Sequence, residues 1–249
     1  MRRVGMAILV VIIGLTGCAT PGASTHTSLK QTPDRLLPKR VLLLPAEVRV
    51  HEISAGGVIE KVDAWSEEAS AHVLADLRAR TASGQPFQLV EAPTLNAVDK
   101  ANLDQHAALY EVVAGTALMA KSGHQVWRER AKEFDYTIGP GLKALAEEAA
   151  IDAALITIGT DYISSSGRKA AMVMGAIVSV LSGVIVMPAG GVAFLSVGIV
   201  DLRTGDLLWF DTARSESVSL RDKQSIQAML DGMFATYPGT ARDAATPSK

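Results

Sequence analysis

The sequence predicts an α/β domain in which helices flank a mixed β-sheet, preceded by a short secretory segment. Three observations lead to this fold class: apolar runs rich in β-branched residues, stretches with helical apolar spacing, and an order in which the two alternate along the chain. The last two strands are joined by a tight turn. Such a hairpin adds antiparallel pairing to strands that are otherwise separated by helices, and the predicted sheet is therefore mixed.

The chain begins with the layout of a signal peptide. Two arginines precede about a dozen apolar residues, a run too short to cross a bilayer as a helix. The run ends at Leu15, Thr16 and Gly17, directly before Cys18, which is the sole cysteine of the 249 residues. With one cysteine, the chain can form no internal disulfide.

These four residues resemble the lipobox of bacterial lipoproteins. The resemblance implies cleavage before Cys18, a covalent lipid on its sulfur and attachment to a membrane through several acyl chains. Ala19 follows the cysteine, and the sorting pattern of such lipoproteins then implies the periplasmic face of the outer membrane. The alternatives are a plain signal peptide with a chance cysteine, or a short amino-terminal anchor.

Composition divides the chain into four parts. Residues 1–17 are the signal peptide, and residues 18–38, polar and interrupted by prolines, are predicted to be a lipidated amino terminus and flexible tether. Residues 39–237 form the α/β domain, with an apolar insertion at about 168–190. Residues 238–249 are predicted to be a disordered tail.

The first half of the domain alternates between strands and helices. A strand at 40–50 begins as a continuous apolar run and ends in alternation, so it is expected to be buried on both faces and then on one. A helix is predicted to begin at Ser66, and a short strand follows at 87–90. Residues 94–121 are predicted to be largely helical, but their spacing defines no single buried face. The apolar residues of this helix include Val98, Leu109, Val112, Val113 and Leu118.

The second half of the domain begins with a turn at Gly139-Pro140-Gly141 that leads into a helix ending near Ala149. Residues 153–159 have the β-branched content of an interior strand. Strands at 192–200 and 207–211 flank a turn at 203–206, in which a glycine supplies positive φ. A closing amphipathic helix covers residues 226–237.

The hairpin carries a motif that resembles a family of periplasmic lipoproteins. Asp201, the Thr204-Gly205 turn and Trp209 are similar to the hairpin of proteins such as CsgG and LpoB. The resemblance implies the same α/β sandwich, and a hairpin of this kind specifies the fold better than the function. Two features differ, because the tether here is shorter than in LpoB-like activators and the chain offers one candidate for the two barrel-forming hairpins of CsgG-like pores.

Residues 170–200 contain no charged side chain, and 170–187 alone are long enough to cross a membrane. A single crossing is nevertheless excluded if the strands on either side share one sheet. Small residues recur at every fourth position of this contact segment: Ala171, Gly175, Ser179 and Gly183. Three interpretations stay open: a helix buried in the core or in an oligomer, a helix that touches the membrane, and a membrane hairpin.

No residue pattern indicates catalysis. The formal charge of −2 provides no basic surface for nucleic acid, and the five histidines lack the spacing of a metal site. The sequence therefore predicts no cofactor beyond the lipid on Cys18 and no small-molecule substrate. We expect a non-enzymatic envelope lipoprotein that acts as a protein-interaction or assembly module, through a protein partner or self-association. The alternative is a subunit of an oligomeric secretion or pore complex that inserts residues 170–187 into the membrane.

Overall fold

The computed structural model describes residues 23–31, 37–81, 86–121, 133–170 and 191–238. Within these ranges, eight strands form one mixed sheet between helices. The strands are β1 (Ser24–Thr25), β2 (Arg40–Leu43), β3 (Glu47–Ile53), β4 (Ile59–Lys61), β5 (Gln88–Val90), β6 (Ala153–Ser164), β7 (Gly191–Asp201) and β8 (Leu207–Ser215). The helices are α1 (Thr27–Gln31), α2 (Asp63–Thr81), α3 (Ala97–Lys121), α4 (Lys143–Ala149) and α5 (Lys223–Phe234). The predicted fold class is confirmed.

The strands are arranged in the order β1-β8-β7-β6-β2-β5, and β3 follows β2 along the same edge of β6. The pairs β2–β5, β2–β6 and β3–β6 are parallel, whereas β6, β7, β8 and β1 pair antiparallel in sequence. At the end of β6, Ile163 is paired with Gly191 of β7. The strands on either side of the uncharged segment are therefore neighbours in one sheet, as the argument against a single membrane crossing required.

Both faces of the sheet are covered. Neighbouring residues of a strand point to opposite faces, so Val41 and Leu43 face α2 and α5, while Leu42 packs on the side of α3 and α4. The same division holds along β6. Leu155 belongs to the hydrophobic core on the side of α2 and α5, and Ala154 belongs to the core on the side of α3 and α4. Burial on both sides explains why these strands read as continuous apolar runs.

The strand predicted at 40–50 is divided in two. Its interruption lies at Leu44-Pro45-Ala46, because proline has no amide hydrogen to donate to a neighbouring strand. Beyond the break, the amide of Val50 donates to the hydroxyl of Ser66 at 2.9 Å. The side chain of Ser66 thus completes the hydrogen bonds of β3, and α2 begins earlier, at Asp63, rather than at the predicted cap.

The predicted boundary between tether and domain requires correction. Residues 24 and 25 pair with Phe210 and Trp209 of β8, and the amide of His26 donates to Leu208 at 2.8 Å. Leu29 of α1 is only 1% exposed and belongs to the core. Residues 23–31, which the prediction assigned to the tether, are therefore part of the folded body through β1 and Leu29.

Candidate functional site

Helix α3 has two faces with different surroundings. Its inner face is buried against the sheet through Leu103, Tyr110, Ala114 and Ala117. Near the start of the helix, the side-chain amide Nδ2 of Asn102 donates to the backbone carbonyl of Gly141 at 2.9 Å. These contacts fix the helix on the layer that also contains α4.

Tyr110 packs directly beneath a glycine of β7. A Cβ atom at Gly198 would lie 2.3 Å from the hydroxyl oxygen of Tyr110, so the close approach requires glycine at this position. Tyr110 is fully buried, and this burial raises the pKa of its hydroxyl, a shift that the Ser196 hydroxyl only partly offsets. The phenol stays neutral, and its ring fills the space between α3 and the sheet.

The outer face of α3 exposes large apolar side chains. Val98 is 78% exposed, Val112 is 66% exposed and Met119 is 63% exposed, and Leu109 adds a fourth side chain at 43%. Isolated apolar residues are common on protein surfaces, but a series along one helix is typical of a contact site. From Gln105 to Met119 the only charged residue is Glu111.

Glu111 is paired with an arginine from the sheet. Arg49 of β3 donates to both carboxylate oxygens of Glu111, at 2.5 and 2.9 Å, and also to Glu47. The hydrogen bond from Arg49 lowers the pKa of Glu111 below its ordinary value. Bidentate pairing with a planar guanidinium holds the helix at a defined distance from β3.

A groove of about 540 Å³ lies between α3 and the interruption between β2 and β3. Its apolar side chains include Leu44, Leu103 and Ile156, and the Arg49–Glu111 pair lies at its rim. From α3 the groove is lined by Leu103, Asp104, Ala107, Ala108 and Glu111, and the four exposed apolar side chains of the outer face are not part of its lining.

A buried carboxylate elsewhere in the sheet has a structural role. Asp161 of β6 is 1% exposed and accepts hydrogen bonds from the Ser219 hydroxyl at 2.7 Å and the Leu220 amide at 2.8 Å. Burial raises the pKa of Asp161, and these two hydrogen bonds oppose the shift. The carboxylate fixes the loop that leads into α5, and Leu220 covers it.

The four residues of the hairpin motif stabilise the turn between β7 and β8 and the core beside it. Asp201 accepts the amides of Arg203 at 2.7 Å and Thr204 at 3.1 Å, and Gly205 has a φ of +80°. Trp209 is fully buried between the sheet and α5, where its ring stacks on Phe234. These residues specify a turn and a core position, and they do not form an exposed site.

Two sets of predicted site residues lie outside the described residues. The first is the lipobox, with Leu15, Thr16, Gly17 and Cys18. The second is the apolar contact segment, with Ala171, Gly175, Ser179 and Gly183. Most of the predicted tail, residues 239–249, also lies outside.

The described residues bring together no group of three or more His, Cys, Asp or Glu side chains that could hold a metal ion. Among the helices in this part of the chain, none combines the length and apolar character needed to cross a membrane.

Comparison with known protein families and with curated proteins gives no match for this sequence. Solved structures include distant neighbours. A dodecamer of a PelC variant from Paraburkholderia phytofirmans has a TM-score of 0.35 and 11% identity, and the match covers 80% of this chain and 86% of that one. A second PelC dodecamer from the same organism has a TM-score of 0.30 and 11% identity, with coverage of 78% and 88%. The resemblance to CsgG and LpoB stays a prediction.

The outer face of α3 is the surface that the sequence did not identify. Val98, Leu109 and Val112 were expected to be apolar members of a helix, without an assigned side. The structure exposes all three and buries Leu103 and Tyr110 instead. The sequence does contain a pattern that separates the two faces of α3. A seven-residue spacing relates positions 103, 110 and 117, and the same spacing relates positions 98, 105, 112 and 119. Two such series on one helix predict two contact faces.

Proposed function

We propose that this protein is a lipid-anchored envelope protein that binds a protein partner through the outer face of α3 and catalyses no reaction itself. The observation that carries the proposal is the series of exposed apolar side chains at Val98, Leu109, Val112 and Met119. A helix face whose large exposed side chains are apolar matches the composition of interface cores, which are poor in charged residues. Such a face loses little hydration of charged groups when another protein covers it.

The perturbed titratable groups support a non-enzymatic role, since each is engaged in holding the fold. Asp161 binds a loop and Tyr110 fills the space beneath Gly198. Glu111 is paired with Arg49. Catalytic groups are expected to converge on a cleft with room for a reacting atom. Asp161 contacts the loop before α5, the Tyr110 hydroxyl is buried beneath Gly198, and Glu111 is partly exposed at the rim of the groove.

The proposed anchor would hold this body close to the bilayer. Cys18 precedes the first described residue, Ala23, by five positions, and five residues span at most about 18 Å when fully extended. A lipid on Cys18 would therefore restrict the domain to the membrane surface far more tightly than a tether to residue 38. On the outer-membrane assignment, its partner meets it at the periplasmic face.

The lipid is tested directly by mass spectrometry of the amino-terminal peptide from the full chain, expressed in a lipoprotein-processing bacterium. The expected result is a peptide that begins at Cys18 and carries acyl chains, with loss of the membrane-bound fraction in Cys18→Ala. A peptide that begins at Met1, or an unmodified thiol, would contradict the anchor.

Partner binding is tested separately by Val112→Glu, with Val58→Glu as the matched control. Both valines are exposed, at 66% and 57%, but Val58 lies in the turn between β3 and β4. Chemical crosslinking in intact cells should give a specific crosslinked complex for the wild type and for Val58→Glu, and lose it for Val112→Glu. Equal yields from all three chains would refute the assigned surface.

The second candidate is a subunit of a secretion or pore complex that inserts residues 170–187. It is favoured by the pairing of Ile163 with Gly191, which brings the two ends of the intervening segment to adjacent strands. A hairpin that enters and leaves a membrane on one side needs this arrangement. The measurement is conductance in planar bilayers. Conductance that is lost when residues 170–187 are replaced by polar residues would favour the pore subunit over the partner-binding protein.

A further inference from the structure

The outer face of α3 repeats every seven residues. Val98, Gln105, Val112 and Met119 occupy one position of the repeat, and Ala101, Ala108 and Gly115 occupy the position three residues later. These are the a and d positions of a heptad, the pattern by which two helices pack along a shared seam. We refer to these seven residues as the α3 seam.

The inner face follows the same repeat on the opposite side of the helix. Leu103, Tyr110 and Ala117 lie at the f position and are at most 6% exposed, because they pack on the sheet. The helix axis is thereby fixed with the α3 seam pointing outward. The seam is part of a folded surface and does not need to form when a partner binds.

We infer that a second copy of this chain docks on the α3 seam, with the two helices antiparallel. The inference rests on the proposed function and names the partner of its surface. In an antiparallel pair, each a residue faces a d residue of the other helix. Aligning Gln105 with Ala108 of the second copy also aligns Ala101 with Val112, and Val98 with Gly115.

Each of these aligned layers then combines a larger side chain with a small one, and Met119 lies beyond the last layer because its facing position, 94, precedes α3. The small residues allow the helix backbones to approach, and the larger ones fill the space, which gives even packing along the seam. A parallel pair would alternate between layers of two large residues and layers of two small ones. Two identical copies of the α3 seam therefore fit together when the helices are antiparallel. A two-fold interface requires such a self-complementary surface.

Gly115 and the charges at the rim are compatible with this packing. A Cβ added at Gly115 would meet no atom within 4 Å, so space for a neighbour exists above this position. Asp104 is paired with Lys100 at 2.7 Å, and Glu111 is paired with Arg49. Both acidic groups beside the seam are thus engaged in ion pairs within each copy, and Glu111 shares its partner Arg49 with Glu47.

The length of the seam sets the expected strength. The aligned layers extend from position 98 to position 115, a contact of roughly 25 Å along one helix. One helix face buries less than the roughly 800 Å² per partner of a standard interface. The dimer should be weak in dilute solution and become populated where chains are concentrated, as on a membrane surface.

The register is tested with single cysteines introduced into the full chain, Ala101→Cys and Val112→Cys, in detergent micelles under mild oxidation. Antiparallel docking predicts that a mixture of the two variants forms disulfide dimers much faster than either variant alone, because position 101 faces position 112. The wild-type chain is the control for Cys18. Fast dimer formation by each variant alone, without an increase on mixing, would overturn the antiparallel arrangement.

Sedimentation equilibrium measures the same contact without cysteines. Val112→Glu should raise the dimer dissociation constant by more than roughly tenfold, because it would bury a carboxylate in the seam. Val58→Glu should leave that constant unchanged. Equal association by both variants would overturn the seam as the interface, and so would an absence of dimers by both methods.

The outcomes separate this inference from the proposed function. If no dimer forms but a photo-crosslinking amino acid placed at position 112 captures a different protein in cells, the second copy is excluded and the partner surface is retained. If no dimer forms and position 112 captures no protein, both are refuted.

Discussion

Replacement of Gly198 by alanine should destabilise the protein strongly, because this glycine determines how closely α3 approaches the sheet. The added methyl group would lie 2.3 Å from the Tyr110 hydroxyl oxygen, 2.6 Å from Cε2 and 2.8 Å from Cζ. Carbon atoms in contact prefer separations of about 3.5 to 4.0 Å. The overlap involves the rigid ring of a buried residue, so rotation of one bond cannot relieve it.

The expected cost follows from overpacking. Extra methyl groups in a close-packed core cost about 1–3 kcal/mol, and a contact with three atoms of one ring places this case at the upper end, about 3 kcal/mol. Gly232 provides the matched control, since a Cβ there meets no atom within 4 Å and the residue lies inside α5. Gly232→Ala should stabilise the helix by up to about 1 kcal/mol. The same substitution thus has opposite signs at the two positions.

Urea denaturation followed by circular dichroism measures both variants. The midpoint should fall for Gly198→Ala and rise slightly for Gly232→Ala, with similar slopes. In the Gly198→Ala background, Tyr110→Leu should recover part of the loss, because a smaller side chain relieves the overlap. A midpoint for Gly198→Ala within error of wild type would refute the placement of α3 and, with it, the assignment of its outer face.

Four further substitutions test other contacts by the same denaturation assay. Leu29→Ala should cost about 2–4 kcal/mol because the side chain is buried in the core, whereas a residue in a free tether would cost nothing. Asp222→Ala should cost about 1 kcal/mol, since Asp222 caps α5 by accepting the Ser225 amide at 2.8 Å, and an unchanged midpoint would exclude that cap. Glu111→Gln should cost at most about 1 kcal/mol, because its ion pair is partly exposed and screened by water, and a larger loss would contradict that estimate. Asp161→Asn should change the pH dependence of stability, because burial raises the pKa of Asp161 in the folded state. The folded state therefore binds a proton at a higher pH than the unfolded state does. Wild type should gain stability relative to the variant as pH falls from about 7 to about 4. A constant difference between the two chains over that range would contradict the shift.

The parts of the fold that sequence predicts best are those set by local chemistry. The turn at Gly205 needs positive φ, which glycine supplies, and the structure has φ of +80° there. The continuous apolar runs of β2 and β6 indicated burial on both faces, and both strands are interior. These features depend on neighbouring residues, and the sequence contains them directly.

Other features depend on contacts between distant residues. The place of Leu29 in the core follows from the unfilled edge of β8, about 180 residues later in the chain. Arg49 and Glu111 are 62 residues apart, and their pairing is a consequence of packing between β3 and α3. The face of α3 was ambiguous because apolar residues cover most of its circumference. Its two heptad series become separable once the sheet contacts of Tyr110 are known.

A photo-crosslinking amino acid at position 112 tests the central claim most directly, in cells that produce the full chain. The outward face of α3 as a protein-binding surface predicts a specific crosslinked product from Val112 and none from Val58, an exposed valine outside the α3 seam. Crosslinks from Val58 alone, or from neither position at normal expression, would contradict the claim.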